Sequence, residues 1–452
     1  MHAAANGAAF HAGAPMTSGF DDESSPRRAT TDAVPSRPVR GRVAKQSRSA
    51  ETRASISAAA VQVIAERGIS GVTHRLVAER AGVPLAATTY YYESKFDILA
   101  DAANASMQLY AVAFAKAAAR YRANESGAVR LRDFAFRLIR NAAGVHKAGT
   151  IAWAETALDA VRHPESLVLA RNWSAHINAL WTNIADALGA RNGRAVARSG
   201  IDTVTGLLFM TIALGLSEAE LDSVFEGGGD PVEIWSAPRR VGADDAGSGE
   251  TLGRKTQATR KRIVDAAIDI LMTDGAAAVN FRQVAKRAGL TAAAPAYHFK
   301  SVEDLLRVAQ ARLFGESKER YRSAVASPGQ RSGDLEQLAD LTSVVFQREA
   351  TEFGRQNLAT FAIWLEAARR PELRPMVCDA IVDQCRAWRR LLDPLSASPQ
   401  PVNGLLAEAM FAGKLVRILS TGAAISDLVS VRREFVSDLT ALADGAFWAL
   451  ES

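Results

Sequence analysis

The chain has 452 residues, 48% of them hydrophobic and 23% charged, a folded-protein composition with length for about two to four domains. Its formal charge of +5 suits a polyanionic partner such as nucleic acid, although many basic proteins bind none. Two cysteines, Cys378 and Cys385, leave no disulfide scaffold, no CxxC and no Cys/His cluster, so neither a metal nor a cofactor is expected.

In chain order, residues 1–47 come first. They are rich in Ala, Gly, Ser, Pro and Arg without periodicity, which predicts disorder. The basic run from Arg27 to Arg53 faces only Asp32 and Glu51. It suits either a solvated tail or an arm that follows DNA, with Arg53 a candidate contact. Residues 48–99 read as short helices. Ile56, Ala59, Ala60, Val63 and Ile64 make one apolar stripe, and Gly68 follows it. Thr73 is an N-cap for a short helix carrying Val77, Ala78 and Ala81 that stops at Gly82. A second short helix spans Leu85–Tyr91, and a longer one opens at Ser94 with Asp97 in its first turn. Two short helices joined at a glycine form a helix-turn-helix pattern.

Residues 100–225 read as a helical domain. Residues 226–253, with Gly227, Gly228, Gly229 and two prolines, read as a linker. Beyond it the chain repeats itself at an offset of 207. Between 52–99 and 259–306, 19 of 48 positions are identical without a gap, far above chance. The same register pairs Pro164 with Pro371, Trp181 with Trp388, Gly206 with Gly413 and Gly215 with Gly422. A second helix-turn-helix therefore occupies 254–306, with Asn280 as N-cap and a second short helix over Ala292–His298. Residues 307–452 form a second helical domain.

The runs Thr73–Val83 and Thr89–Lys95, and in the second copy Phe281–Leu290 and Ala296–Ser301, resemble the DNA-binding domain of the TetR family of bacterial repressors. The resemblance is specific over the first fifty residues of each repeat and architectural beyond. It implies an all-α fold of two tandem units, each a helix-turn-helix domain followed by a helical ligand-binding and dimerisation domain. It implies phosphate contacts at Thr73, Arg75, Asn280 and Arg282. Leu85, Ala86, Ala87 and Thr89 fall at recognition-helix positions, Tyr90 and Tyr91 at backbone-clamping positions, and Lys95 at a further phosphate contact. In the second copy Ala292, Ala293, Ala294, Ala296, Tyr297 and His298 take these places. Val302 stands where Lys95 does, Tyr91 where His is usual, and Pro295 lies in the first turn of the second recognition helix.

The expected partners are double-stranded DNA and a small-molecule effector whose identity nothing in the sequence names. The family pairs its units through their last long helices, here about 166–188 with 194–216 and about 373–395 with 403–423. Within one chain this gives a pseudo-dimer; the alternative is two chains presenting four modules. Trp153, Trp173, Trp181, Trp364 and Trp388 are expected in the core, at the interface or around a pocket. No apolar run reaches about 18 residues, so no membrane span is expected and the chain reads as cytoplasmic. No GxSxG, HExxH, Walker or dinucleotide motif occurs, and no enzyme is expected. The rival reading is an architectural or protein-interaction module without ligand-controlled gene regulation.

Overall fold

The computed structural model describes residues 40–123, 130–239, 253–325, 333–422 and 425–448, with side chains from Arg48 onward, 324–325 and 425–426 excepted. The chain divides after Arg48. Of the N-terminal unit the described part is the backbone that opens the first helix, and the rest of the fold lies in Ser49–Ser452. Among the described residues the regular elements are helices and no strand occurs.

The first half comprises α1 (Arg40–Arg67), α2 (His74–Ala81), α3 (Leu85–Tyr91), α4 (Lys95–Arg122), α5 (Leu131–Ala143), α6 (Lys147–Asp159), α7 (Pro164–Ala187), α8 (Gly193–Leu214), α9 (Glu218–Phe225) and α10 (Pro231–Ser236). The second comprises α11 (Arg254–Thr273), α12 (Phe281–Ala288), α13 (Ala294–His298), α14 (Val302–Val325), α15 (Leu335–Thr351), α16 (Gly354–Arg369), α17 (Arg374–Leu392), α18 (Asn403–Thr421) and α19 (Ile425–Ala443).

The apolar stripe of α1 and its counterpart in α11 are buried throughout. Each fully buried Ile or Val in these stripes contributes about 1.5–3 kcal/mol. The first helix-turn-helix has a core of its own, whereas the core of the second is continuous with the helical layers behind it. The glycine turns take the left-handed conformation a side chain resists, φ 66° at Gly82 and 63° at Gly289.

Three expectations need correction. Helix α1 begins at Arg40, so 40–47 are helical in backbone, not disordered. The last proline upstream is Pro38, and beyond it Arg, Ala, Lys and Gln propagate the helix. Residues 1–39, the bulk of the expected basic arm, lie outside the described residues. Part of the expected linker is folded. Asp230 caps α10, Pro231 sits in its first turn, and Val232 and Trp235 are buried beside α17. Proline there opens a helix where a breaker was expected. Residues 240–252 of that linker are outside the described residues. Finally, α13 starts at Ala294, two residues late, because Pro295 has no N–H to offer the Thr291 carbonyl.

The helices expected to pair do so. Helices α7, α8, α17 and α18 lie against one another, with α8 crossing α18 most closely. The crossing is reciprocal. Gly206 rests on the Ala409 carbonyl and Gly413 on the Asp202 carbonyl, leaving no space for a Cβ at either. Helix α8 alone among the described helices is long and apolar enough to cross a membrane, but 78% of its apolar stretch is buried inside the protein.

A buried charge network sits on this crossing. Lys414, fully buried, donates to Asp202 at 2.9 Å and to Glu434 at 2.7 Å, and Asp438 lies 3.4 Å away. Arg417 forks onto Asp202 at 2.7 and 3.0 Å. Burial pushes the Asp202 carboxyl up, but Arg417 and Lys414 outweigh it and hold it below its ordinary value. None of these charges has a counterpart in the other repeat, where Ala409, Leu207 and Met210 stand at the positions equivalent to Asp202, Lys414 and Arg417.

Glu408 on α18 is buried too. Burial pushes its carboxyl up to about 8, against a 2.9 Å bond donated by Trp388 Nε1. A carboxyl raised in the folded state binds a proton on folding. Its contribution to stability is full below about 4.5 and is lost as pH rises through about 8. Glu408→Gln is therefore expected to flatten the decline of stability across roughly pH 5–8 in urea unfolding. An unchanged slope contradicts this assignment.

Candidate nucleic-acid interface

In the first helix-turn-helix, Thr73 caps α2 by accepting the Leu76 N–H at 3.2 Å, which leaves its hydroxyl hydrogen free to donate outward. Arg75 projects exposed from the same turn. On α3, Leu85, Ala86, Thr89 and Tyr90 are exposed, with Tyr90 81% so, and Ala87 is partly covered. The fully buried Thr88 donates within α3 to the Leu85 carbonyl at 2.8 Å and faces the His74 carbonyl of α2 at 3.4 Å. Tyr91 is half-buried, edge-on to Tyr90, and donates to Ser49 Oγ at 3.0 Å. The Ser94–Asp97 capping box fixes where α4 departs.

Two candidate contacts are less available, one paired and one half-buried. Arg53 forks onto Asp101, at 2.9 Å for the closer pair, and Tyr92 donates to the same carboxylate at 2.6 Å. Lys95 is half-buried, and burial holds its ammonium below the ordinary value although Asp159 pulls the other way.

The second module repeats the geometry. Asn280 Oδ1 accepts the Gln283 N–H at 3.0 Å, and its amide donates to the Ala278 carbonyl. Arg282, Ala292, Ala293, Ala296 and Tyr297 are exposed, Tyr297 85% so, while Ala294 and His298 are partly covered. Ala292 and Ala293 precede α13 in the turn. Sequence reading missed Lys300. It is exposed directly after the recognition helix, opposite Glu93 of the first copy. The cation at Lys95 is thus displaced by two positions in the second copy, which an ungapped comparison conceals.

Arg80 and Arg287, conserved between the copies, are structural. Arg80 forks onto Glu66 at 2.6 Å, and Arg287 binds Asp269 and Asp274, so each ties its second helix to its first.

The two modules are held to one another by a reciprocal pair of arginines. Arg369 of the second half donates from Nε to the Ala65 carbonyl at 2.8 Å and from Nη2 to the Ile64 carbonyl at 3.1 Å. Arg162 of the first half donates from Nε to Met272 at 3.3 Å and from Nη2 to Leu271 at 3.0 Å. Donors and acceptors all correspond at the offset of 207. Each arginine thus caps the C-terminal carbonyls of the other half's first helix, where cations are favoured. Arg369 also meets Glu155 at 2.5 Å, a partner that Arg162 lacks because Ala362 stands at the equivalent position. The turns after α1 and α11 touch directly as well, with Gly68 packed close to Ala277. The sequence signal was an arginine two residues before Pro-Glu in both copies.

Comparison with known proteins follows the same division. The model described as bacterial regulatory proteins, tetR family, matches twice, at 56–102 and 263–309, and the tetracyclin repressor-like C-terminal domain matches at 333–442. These matches bear out the resemblance read from both front-end segments. The HTH-type transcriptional regulator BetI of Rhizobium meliloti (strain 1021) is 28% identical over 199 residues, which cover 42% of this chain and 93% of BetI. Two solved structures cover 41% of the chain each. The multidrug binding protein EbrR complexed with imidazole matches at 22% identity over 94% of its length, TM-score 0.33. A Streptomyces coelicolor A3(2) protein described as a transcriptional regulator matches at 20% over 98%, TM-score 0.34.

Proposed function

The chain is a TetR-family DNA-binding transcriptional regulator with two tandem units, and we propose that a single copy acts as a ligand-responsive repressor whose halves pair as a pseudo-dimer on an asymmetric operator. In this reading 48–99 and 254–306 bind DNA, and 100–225 and 307–452 bind ligand and pair with each other.

The observation that carries the reading is the one-sided charge network on the α8–α18 crossing. Pairing α8 with a second α8 would bury two Asp202 carboxylates with no cation between them. Pairing α18 with a second α18 would leave each Lys414–Arg417 set its own Glu434 and Asp438 but no Asp202, so the unpaired charge falls on the Asp202 pair. Unpaired buried charge costs several kcal/mol, so the interface favours unlike halves. Sedimentation of the protein on a short operator duplex should give one chain per duplex. Two chains per duplex would sink the single-copy reading.

Phosphate contacts are assigned to Thr73, Arg75, Asn280, Arg282 and Lys300, with Arg53 secondary because it is paired with Asp101 and Lys95 secondary because it is half-buried. Tyr90 and Tyr297 clamp the backbone. Leu85, Ala86, Ala87 and Thr89 face the bases of one half-site, and Ala292, Ala293, Ala294 and Ala296 those of the other, with Tyr91 and His298 beside the two clamping tyrosines. A surface of alanines reads thymine methyls and groove shape, so the second half-site is the less discriminating. Arg75→Ala should weaken operator binding by about fivefold or more and lower the salt slope by about one. Arg282→Ala does the same if the second module contributes. Affinity unmoved by both changes would mean that the contacts are misplaced. Effector binding shifts the pair toward a spacing that DNA cannot accept, by its differential affinity for the two arrangements.

A further inference from the structure

The first half contains a cavity of about 120 Å³ bounded by α1, α4, α5, α6, α7 and α8, with α18 of the other half closing one side. Its wall is largely aromatic and aliphatic, including Tyr110, Phe114, Trp153, Trp173 and Trp181. Several of the hydroxyl groups on it and its arginine are already engaged. Ser106, Thr150 and Thr156 donate to backbone carbonyls one turn back, Ser420 to Arg417 O, and Arg417 is neutralised by Asp202 and Glu434. No carboxylate lines it. A charged guest would be buried without a counter-ion, whereas a flat neutral one exchanges water for ring contacts. An apolar cavity of roughly 150 Å³ holds benzene, so the size fits one aromatic ring.

The equivalent place in the second half is filled. At the offset of 207, Gln310, Trp364 and Phe411 replace Ala103, Ala157 and Val204, and the remaining cavity is about 40 Å³, room for a few waters. Gln384 and Glu408 replace Ile177 and Ile201, and both polar ends of Gln310, Gln384 Oε1 and Trp364 Nε1 have no protein partner. Such a site suits water and rejects an apolar ring.

We propose that the chain binds one effector, not two, that it is a small neutral aromatic molecule, and that it sits in the first-half cavity between α4, α7, α8 and α18. Ile64 lines this cavity while its carbonyl is held by Arg369 of the other half. An occupant therefore presses on the contact that sets the spacing of the two DNA-binding modules. What occupancy does to DNA rests on the ligand-responsive reading above; the binding itself does not.

Toluene, benzylamine and benzoate test this, being similar in size and differing in charge at neutral pH. On the full chain, saturating toluene should raise Tm by about 2 °C and bind with a stoichiometry of one, and the two charged compounds should do neither. Val204→Phe and Ala157→Trp, which install the second half's own side chains, should abolish the toluene shift while the ligand-free protein keeps its helical signal. Absence of any toluene shift, an equal shift with a charged analogue, a stoichiometry of two, or full binding by both variants that retain the fold would each overturn the proposal. Toluene binding that leaves operator affinity unchanged upholds the site and removes the ligand-responsive reading instead.

Discussion

Lys414→Met is expected to destabilise the protein by about 3 kcal/mol or more, the cost of leaving buried carboxylates without their cation. The side chain it removes is fully buried and faces Asp202, Glu434 and Asp438. Arg417 remains beside Asp202 and Glu434, but it lies on the outer side of the cluster and makes no bond to Asp438. Asp438 is already held up by burial more than Lys414 pulls it down, so the loss of Lys414 drives it further toward the neutral acid. Two corollaries separate this cause from simple loss of packing. Asp438→Asn in the Lys414→Met background should recover part of the loss, and the deficit should shrink as pH falls and the carboxylates take up protons. Urea unfolding of the three proteins reads both. A deficit below about 1 kcal/mol would mean that the network does not hold the halves together.

The second large effect concerns the crossed arginines. Arg162→Ala combined with Arg369→Ala should weaken binding to the complete operator by about tenfold to a hundredfold, the range of ordinary coupling energies. Affinity for an isolated half-site should stay unchanged, because neither arginine belongs to a DNA-facing surface. Each removes two hydrogen bonds to the last turn of the other half's first helix. The modules then lose their mutual registration while each keeps its own fold. The two single changes should be unequal. Arg369→Ala also strands Glu155 and leaves Glu366 to Arg370 alone, whereas Arg162 has no bonded carboxylate, so Arg369→Ala should cost more stability. Equal losses on half-sites and complete sites would show that the arginines act on folding alone.

Much of the fold was legible from periodicity. The stripe from Ile56 to Ile64, the N-caps Thr73 and Asn280 and the glycines at 82 and 289 are local signals, and local physics decides them. The pairing of the four long helices is what the family resemblance implies, and the repeat register reaches Gly206 and Gly413, which the structure places on each other's helix backbones. What escaped is what depends on the other half. Lys414 and Arg417 look like ordinary helix-surface charges until Asp202 arrives from 212 and 215 residues away. Arg162 and Arg369 find their carbonyls only across the pair, and so were invisible to any reading of one repeat. Pro231 reads as part of a linker in sequence because its role at the head of α10 depends on a surface on α17 that buries Trp235. Among the candidate DNA contacts, Arg75, Tyr90, Arg282 and Tyr297 stand exposed, whereas Arg53 is tied to Asp101 and Lys95 is half-buried, a distinction residue type alone does not make.

The most direct test of the central claim is selection of the best-bound sequence from random duplex DNA with the intact chain. The account predicts one site with two unlike halves, the stricter read by Leu85–Tyr91 and the more permissive by the alanine-rich second module. A perfect palindrome would contradict it, because two identical half-sites require the same recognition helix twice and hence two chains on one operator.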